Sequence, residues 1–196
     1  MSSREFILAN VRRNQPAVTP LPSVPQFAHA AVDLAVVFGN ALERMGGRVL
    51  SPNAGADLAE LIAALHPGAR VICSAAREVT GTRALVPAQD PRELADVDVG
   101  VVRAAFGVAE TGSVALGERE LGVNALGFLS QHLVVLLDPA AILPDIAAAY
   151  WQPWFREVRY GTLLTGPSAT ADIEGVLVRG AQGIRSLTVI LTPESA

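Results

Sequence analysis

The chain has 196 residues, of which 51% are apolar, and its formal net charge is −4 at pH 7. This length and hydrophobicity are typical of one compact domain with a sizeable core, and they exclude an intrinsically disordered chain. The 19 acidic residues outnumber the 15 basic ones. This balance argues against nucleic acid or an anionic membrane surface as a partner, because each needs a basic patch.

The apolar content does not indicate a membrane protein. The longest apolar stretch, residues 125–143, is interrupted by polar residues that include Gln131 and Asp138, so it predicts no membrane span. The N-terminus carries Arg4 and Glu5, without the apolar block and cleavage site of a secretory signal. We therefore expect a cytosolic protein.

Two absences narrow the chemistry. The chain contains no lysine, which excludes a Schiff-base lysine and a Walker-type phosphate lysine. Its single cysteine, Cys73, cannot form an internal disulfide, an iron–sulfur cluster or a cysteine-rich zinc site. Cys73 lies in an apolar run and is expected to be a buried core residue. The histidines have no metal-ligand spacing, so no metal site is predicted.

The N-terminal part predicts a helix followed by an extended arm. Residues 2–14 alternate apolar and charged positions with a helical period, and four prolines between positions 16 and 25 prevent further helix. The predicted organisation is an N-terminal helix and Pro-rich arm over residues 1–25 and a single α/β domain over residues 26–196.

The domain alternates helices and short apolar strands, which favours an open, mostly parallel sheet with helical crossovers. Its first half predicts helices at 26–44 (ended by Gly46-Gly47) and 56–65, and strands at 48–50 and 71–73. The second half is richer in strands. It predicts a hairpin-like ribbon from 97–106 and 113–116, buried strands at 133–137, 161–165 and 187–191, and helices at 139–150 and 170–178.

The first candidate for a functional loop is residues 107–113, GVAETGS. Glu110 is positioned as a general base or as an acceptor for a substrate hydroxyl. Thr111 and Ser113 are candidate substrate-binding hydroxyls, and Gly112 permits close approach of the backbone to a ligand. The alternative is a hairpin turn whose hydroxyls satisfy local backbone groups.

The second candidate is residues 165–174, TGPSATADIE, interpreted as a strand end, a turn at Gly166 and a helix start. Ligands of open α/β sheets bind where strands end and helices begin. Two acidic residues in the first turn disfavour a phosphate and favour a hydroxyl-bearing or carboxylate ligand. Asp172 is therefore a second catalytic candidate, and the substrate-binding candidates here are Gly166, Ser168, Thr170 and Glu174. The alternative is that the acids only stabilise the helix start.

A third segment, residues 179–185, places two arginines around a glycine-rich turn. Arg179 or Arg185 can clamp a carboxylate in a bidentate manner, and Gln182 adds an amide to the binding candidates. Arginines at such a turn are more often simply solvated. His132, at the edge of an apolar strand, is interpreted as a structural histidine.

Taken together, these segments resemble the lactate-utilisation protein C family, a small-protein branch of the lactate-utilisation (LUD) domain group. Residues 106–116 and 165–174, continued through 180–183 and 187–191, carry the resemblance. It implies a three-layer α/β sheet of the type shared by ribose-phosphate isomerases and coenzyme-A transferases. Two positions depart from the usual pattern, Ala169 in place of arginine and Gln182 in place of histidine, so the ligand or activity differs if those side chains contact substrate in relatives.

The resemblance also implies a role in oxidising L-lactate to pyruvate beside iron–sulfur partner proteins. The expected protein is then a cluster-free accessory or substrate-binding subunit that binds a small hydroxy acid, with the clusters on its partners and no cofactor of its own. Two alternatives stay open. One is a free-standing isomerase-type or transferase-type enzyme with Glu110 as base or nucleophile, and the other is a non-catalytic scaffold.

Overall fold

A computed structural model describes residues 2–20, 22, 32–86, 89–172 and 174–194. In these residues the helices are α1 (Ser3–Arg13), α2 (Leu34–Arg44), α3 (Leu58–Leu65), α4 (Glu118–Leu121), α5 (Leu126–Leu129), α6 (Ile146–Tyr150) and α7 (Trp154–Glu157). The strands are β1 (Arg48–Leu50), β2 (Ile72–Ser74), β3 (Val99–Arg103), β4 (Gly107–Val108), β5 (Ser113–Gly117), β6 (His132–Leu137), β7 (Ile142–Leu143), β8 (Gly161–Leu164), β9 (Ala169–Thr170), β10 (Val178–Arg179) and β11 (Ser186–Leu191). None of the helices so described is long and apolar enough to cross a membrane.

The centre of the molecule is a five-stranded parallel sheet in the order β1-β11-β6-β3-β2. Its middle strands β6 and β11 pair from His132 with Ser186 to Leu137 with Leu191. Leu133 to Leu137 are fully buried, as expected for a continuous apolar strand covered on both faces. The predicted fold class, α/β with a mostly parallel sheet, is confirmed.

Alternate residues of the central sheet face two different cores. Leu133, Val135 and Leu137 pack with Phe38 and Leu42 of α2 on one face. The intervening β6 residues pack with Ile62 of α3 on the other face, in a second cluster. The two-residue period of a strand thus divides one apolar run between two layers. Cys73 is fully buried in the first cluster, as predicted.

A second sheet, in the order β7-β4-β5-β8, packs on the α2 side of the central sheet. The ribbon predicted from residues 97–106 and 113–116 is wrong in its first strand. The hairpin partner of β5 is β4, whereas β3 belongs to the central sheet. The change of sheet occurs between adjacent residues. The Ala104 amide donates to Leu136 in the central sheet, and the Ala105 amide donates to Ala115 in the second. An unbroken apolar pattern does not show where a strand changes partners, so residues 97–106 were predicted as one strand.

The helix predicted over residues 139–150 is wrong in its first half. A 3-10 turn at Pro139–Ala141 is followed by β7, which pairs with β4, and only Ile146–Tyr150 is α-helical. The carboxylates of Asp138 and Asp145 each accept a backbone hydrogen bond and start a separate short helical segment. The strand predicted at 161–165 is also less buried than expected, because β8 is an edge strand whose Gly161 is exposed.

The helix predicted over residues 170–178 is replaced by a two-stranded hairpin of β9 and β10. Glu174 and Gly175 have φ values of 54° and 70°, so the chain turns through the left-handed region between the two strands. Sequence spacing alone did not reveal this turn, because Thr170 and the acidic residues after it also fit a helix start.

The N-terminal helix is confirmed as α1, with a capping box between Ser2 and Glu5. It buries no residue. Helix α2 starts at Leu34, after an Asp33 cap, whereas the prediction began at Gln26; residues 23–31 lie outside the described residues. Its predicted glycine ending is confirmed by the bonds from Gly46 and Gly47 back to the last turn.

The turn between β4 and β5 requires glycine at position 112. Gly112 has φ +70°, and a Cβ there would lie 2.3 Å from the Leu42 backbone nitrogen in α2. The turn therefore packs directly on the helix backbone, and a side chain would force the two apart.

We expect Gly112→Ala to lower the free energy of unfolding by about 3 kcal/mol. About 1 kcal/mol comes from the left-handed backbone, and about 1–3 kcal/mol comes from overpacking. Gly55→Ala is the matched control, since Gly55 has φ +80° with nothing within 4 Å of the added Cβ. The control should lose only about 1 kcal/mol in urea denaturation. Equal losses for the two variants would contradict the close packing of Gly112 on α2.

Candidate functional site

The first two sequence-predicted loops are neighbours in space. Strands β5 and β8 pair from Val114 with Leu164 onward, which places the two loops side by side. The Ser113 hydroxyl is hydrogen-bonded both to Thr165 and, at 2.7 Å, to Thr111. A short chain of hydroxyl groups thus joins the GVAETGS and TGPSATADIE segments.

The GVAETGS and TGPSATADIE loops both pack against the C-terminal end of α2. Besides Gly112, Gly166 also has positive φ, and a Cβ there would lie 2.5 Å from the Met45 carbonyl oxygen. Arg179 reaches the same helix end, where its Nη2 donates to the Arg44 carbonyl at 3.4 Å. A cation at this position interacts favourably with the helix dipole. The glycines and Arg179 therefore hold the loops and α2 together.

The two catalytic candidates have different surroundings. Glu110 is exposed, and its carboxylate accepts a hydrogen bond from the Ile146 amide at 3.0 Å, at the start of α6. Asp172 is exposed at the hairpin tip, where its own amide donates to Thr170 Oγ1 at 3.3 Å. The structure therefore places Glu110 beside α6 and Asp172 on the β9–β10 hairpin.

The remaining candidates follow the hairpin and the turn after it. Ser168 bonds through its backbone to Ile184 and Gly180 and fixes the base of the hairpin. Glu174 lies in the hairpin turn, and Gln182 lies in the glycine turn that follows β10; both are exposed. Arg185 follows the same glycine turn, where its Cα would lie 3.1 Å from a Cβ on Gly180, and it also lines a cavity at the amino ends of the central strands.

A polar cleft at the other edge of the central sheet was missed by the sequence analysis. We call it the carboxyl-edge cleft. It consists of two adjoining cavities of about 320 and 810 Å³ at the carboxyl ends of the strands, and both are lined by Arg77, Glu78, Arg103 and Glu194. In open α/β proteins, ligands bind at this edge of the sheet.

The floor of the cleft is a nearly buried ion pair. Arg103 ends β3, and Glu78 lies in the loop after β2; their side chains are 13% and 10% exposed. Arg103 Nε donates to Glu78 Oε1 at 2.5 Å, and its Nη1 donates to the Thr192 carbonyl at 3.3 Å. The second carboxylate oxygen and Nη2 are buried and have no hydrogen-bond partner among the described residues. A donor and an acceptor thus remain unused on one pair of side chains.

An unused donor and acceptor in a buried ion pair are costly. Each unsatisfied buried polar atom costs about 1–3 kcal/mol, and more when it is charged. Structures rarely keep such atoms without a reason, and a ligand that supplies the missing partners is one such reason. The exposed ion pair between Arg77 and Glu194, 3.1 Å long, lies beside the same cavities.

The sequence contained one signal for this cleft. Arg103 interrupts an otherwise apolar stretch, and Arg77-Glu78 follow the predicted strand 71–73 after three small residues. A charged residue at the end of an apolar strand indicates a carboxyl-edge position when the neighbouring strands are known to be parallel. The pairing of β2 with β3 brings these residues together, and that pairing is visible only in the fold.

The amino edge of the sheet carries a histidine pair. The rings of His66 and His132 stack with centroids 4.6 Å apart. His132 Nδ1 and the Ser186 hydroxyl are hydrogen-bonded at 2.7 Å. Burial, together with the charges of His132 and Arg48, lowers the pKa of His66 below 6.5. Burial and Arg185 lower the pKa of His132, against the opposing effect of Asp98.

Comparisons with known proteins agree with this architecture. The LUD domain family matches residues 46–192. The "Uncharacterized protein YkgG" of Escherichia coli (strain K12) is 32% identical over 92 residues, which cover 43% of this chain and 39% of that protein. The chain thus matches well under half of this relative. A crystal structure of a DUF162 family protein from Deinococcus radiodurans superposes with a TM-score of 0.62 at 21% identity, over 81% of this chain and 95% of that one, and supports the fold.

The fold and its edge cleft define an α/β protein with a parallel central sheet and a smaller second sheet. The chain belongs to the LUD domain family, and it is similar to YkgG over part of its length.

The lowered pKa values of His66 and His132 predict a loss of stability in mild acid. The unfolded chain takes up protons near pH 6.5, whereas the folded pair resists protonation until a lower pH. The free energy of unfolding should therefore fall as the pH drops below about 6.5. His66→Phe keeps a stacking ring and removes one titrating group, so it should show a flatter profile in urea denaturation between pH 7.5 and 5.5. If the pH dependence of the free energy of unfolding is the same in His66→Phe as in the parent protein, titrating groups other than His66 cause the acid sensitivity.

Proposed function

We propose that this protein is a cytosolic, cluster-free subunit of an iron–sulfur lactate-oxidising system, and that it binds a small 2-hydroxy acid in the carboxyl-edge cleft. Membership of the LUD domain family supports the link to lactate utilisation. The single observation that favours this ligand class is the pair Glu78–Arg103, with its unused acceptor and unused donor.

The chemistry of a 2-hydroxy acid matches that pair. Its carboxylate accepts hydrogen bonds from a guanidinium, and its hydroxyl on the adjacent carbon donates to a carboxylate. Arg103 Nη2 and Glu78 Oε2 would receive these two groups at the same time. Arg77 adds a second cation at the wall of the cleft.

Ligand entry needs a small rearrangement, because Nη2 and Oε2 are covered by protein. The exposed pair of Arg77 and Glu194 is the element suited to move, since its side chains are 63% and 60% exposed. Ion pairs at such exposure contribute about 0–1 kcal/mol. This ion pair by itself therefore contributes little to holding the cleft closed.

The electrons released by lactate oxidation need an acceptor outside this chain. Oxidation of lactate to pyruvate releases two electrons and two protons. A cluster is held by several cysteines, and this chain has only Cys73, which is fully buried. In the proposed division of labour, this protein binds and orients the hydroxy acid, and clusters on partner proteins accept the electrons.

The free-standing enzyme with Glu110 as base or nucleophile makes a different prediction. Glu110 is exposed and retains a carboxylate oxygen for which the described residues provide no hydrogen bond. If the protein is such an enzyme, the Glu110→Gln variant should fold normally and lose turnover. The scaffold alternative predicts that no small molecule binds at the carboxyl-edge cleft or at the GVAETGS loop.

Calorimetric titration of the purified protein tests the site. L-lactate should bind, and propionate, which lacks the hydroxyl, should bind about tenfold more weakly, as expected for loss of one charge-assisted hydrogen bond. Glu78→Gln should reduce the preference for lactate over propionate by about tenfold, because only the lactate hydroxyl loses its charged acceptor, whereas the change at Arg103 affects both carboxylates alike.

Glu110→Gln is the matched control, because it makes the same chemical change at the sequence-predicted loop. It should bind lactate like the parent protein. Loss of binding in Glu110→Gln with full binding in Glu78→Gln would move the site to the GVAETGS loop. No binding of either acid would overturn the hydroxy-acid proposal.

Association with iron–sulfur proteins is tested separately, by affinity purification of the tagged chain from lactate-grown native cells. Iron and lactate-dependent dye reduction should co-purify with it. If the purified protein instead turns over substrate alone and without iron, the free-standing enzyme replaces the subunit.

A further inference from the structure

A second cavity lies at the end of the central sheet opposite the carboxyl-edge cleft. We call it the amino-edge cavity. It has a volume of about 430 Å³, and its polar lining residues are His66, Asp98, Gln131, His132 and Arg185. Because β3, β6 and β11 are parallel, their first residues meet here: Asp98 precedes β3, His132 begins β6 and Arg185 precedes β11.

The histidines of the cavity have unused hydrogen-bonding capacity. His132 uses Nδ1 for Ser186, which leaves its Nε2. His66 Nε2 is buried without a hydrogen-bond partner in the described part of the chain. One imidazole nitrogen of each stacked ring therefore has no hydrogen-bond partner among the described residues, and a ligand reaches His66 Nε2 only if the covering groups shift.

The electrostatics of the cavity favour an anion. Arg185 lines it, and Arg48 lies close enough to influence the charge of His66. Neither arginine has an ion-pair partner within the described ranges. The one carboxylate, Asp98, is already engaged, because its Oδ2 accepts from the Arg70 and Val71 amides at 2.8 and 2.9 Å.

We propose that the amino-edge cavity is an anion site that binds a phosphate group, through Arg185 and the imidazole nitrogens of His66 and His132. A phosphate offers several acceptor oxygens and close to two negative charges near neutral pH. That matches two imidazole donors and a guanidinium better than a single carboxylate does.

Binding at this site is linked to protonation of the histidine pair. The groups that face it are Arg48 beside His66, and Arg185 and Asp98 beside His132. Burial, together with Arg48 and Arg185, lowers the pKa values of the pair, and the negative charge of a bound dianion acts in the opposite direction. The anion then favours the protonated rings, and by reciprocity protonated rings bind it more tightly.

The test follows the histidine side chains by ¹H–¹⁵N NMR on the full chain. The chain has only three histidines, so single replacements assign the signals. Sulfate, which keeps the same charge between pH 5.5 and 7.5, should raise the pKa of both His66 and His132. It should bind about tenfold more tightly at pH 5.5 than at pH 7.5, which corresponds to a combined rise of about one in the two pKa values. Inorganic phosphate should compete with sulfate for the same signals.

Arg185→Gln is the decisive variant, because the side chain is exposed and its loss should leave the fold intact. It should weaken sulfate binding about tenfold or more. Arg92→Gln is the control, since Arg92 is an exposed arginine paired with Asp90 and is not among the residues that line the cavity. It should bind sulfate like the parent protein.

Three results would overturn the site: histidine signals that do not respond to sulfate or phosphate, equal binding by the parent protein and Arg185→Gln, or acetate binding as tightly as phosphate. The third would contradict the assignment to a phosphate group. These readouts do not involve lactate, so they test the phosphate proposal independently of the hydroxy-acid proposal.

Discussion

The five central strands all run in the same direction, and this direction fixes both the positions of the charged side chains and the layers that cover the sheet. Parallel pairing places the carboxyl ends of the strands at one edge and their amino ends at the other. Arg103 and Glu78 meet at the first edge, and His66 and His132 meet at the second. A parallel sheet also needs cover on both faces, which α3 provides on one side, and α2 with the second sheet on the other.

The segments that carry the family resemblance have a structural role that explains their composition. Gly112 and Gly166 bring two loops onto the end of α2, and the hydroxyls of Ser113 and Thr165 join the loops to each other. Small residues are needed where backbone meets backbone. Glycines and hydroxyls in a motif are therefore not by themselves evidence of a ligand site, and here they also hold two layers together.

The two edges of the sheet have different electrostatic character, and this difference separates the two proposals. At the carboxyl edge, Arg103 and Glu78 nearly neutralise each other and leave one donor and one acceptor, a pattern for a ligand with both an acidic and a hydroxyl group. At the amino edge, Arg185 and two histidines line a cavity whose one carboxylate, Asp98, already accepts hydrogen bonds from backbone amides, a pattern for an anion. One sheet can thus support two binding places of different specificity.

The α/β class, most of the central strands and the burial of Cys73 follow from local patterns, namely apolar runs and glycine-ended helices, and the family follows from short motifs. Local patterns do not reveal that residues 170–178 form a hairpin, that β3 and β4 lie in different sheets, or that Arg103 faces Glu78. Those outcomes depend on which strands pair, as with β2 and β3. Pairing between distant segments is set by the packing of the whole core, so the places where the charged residues of this protein meet are visible only in the folded chain.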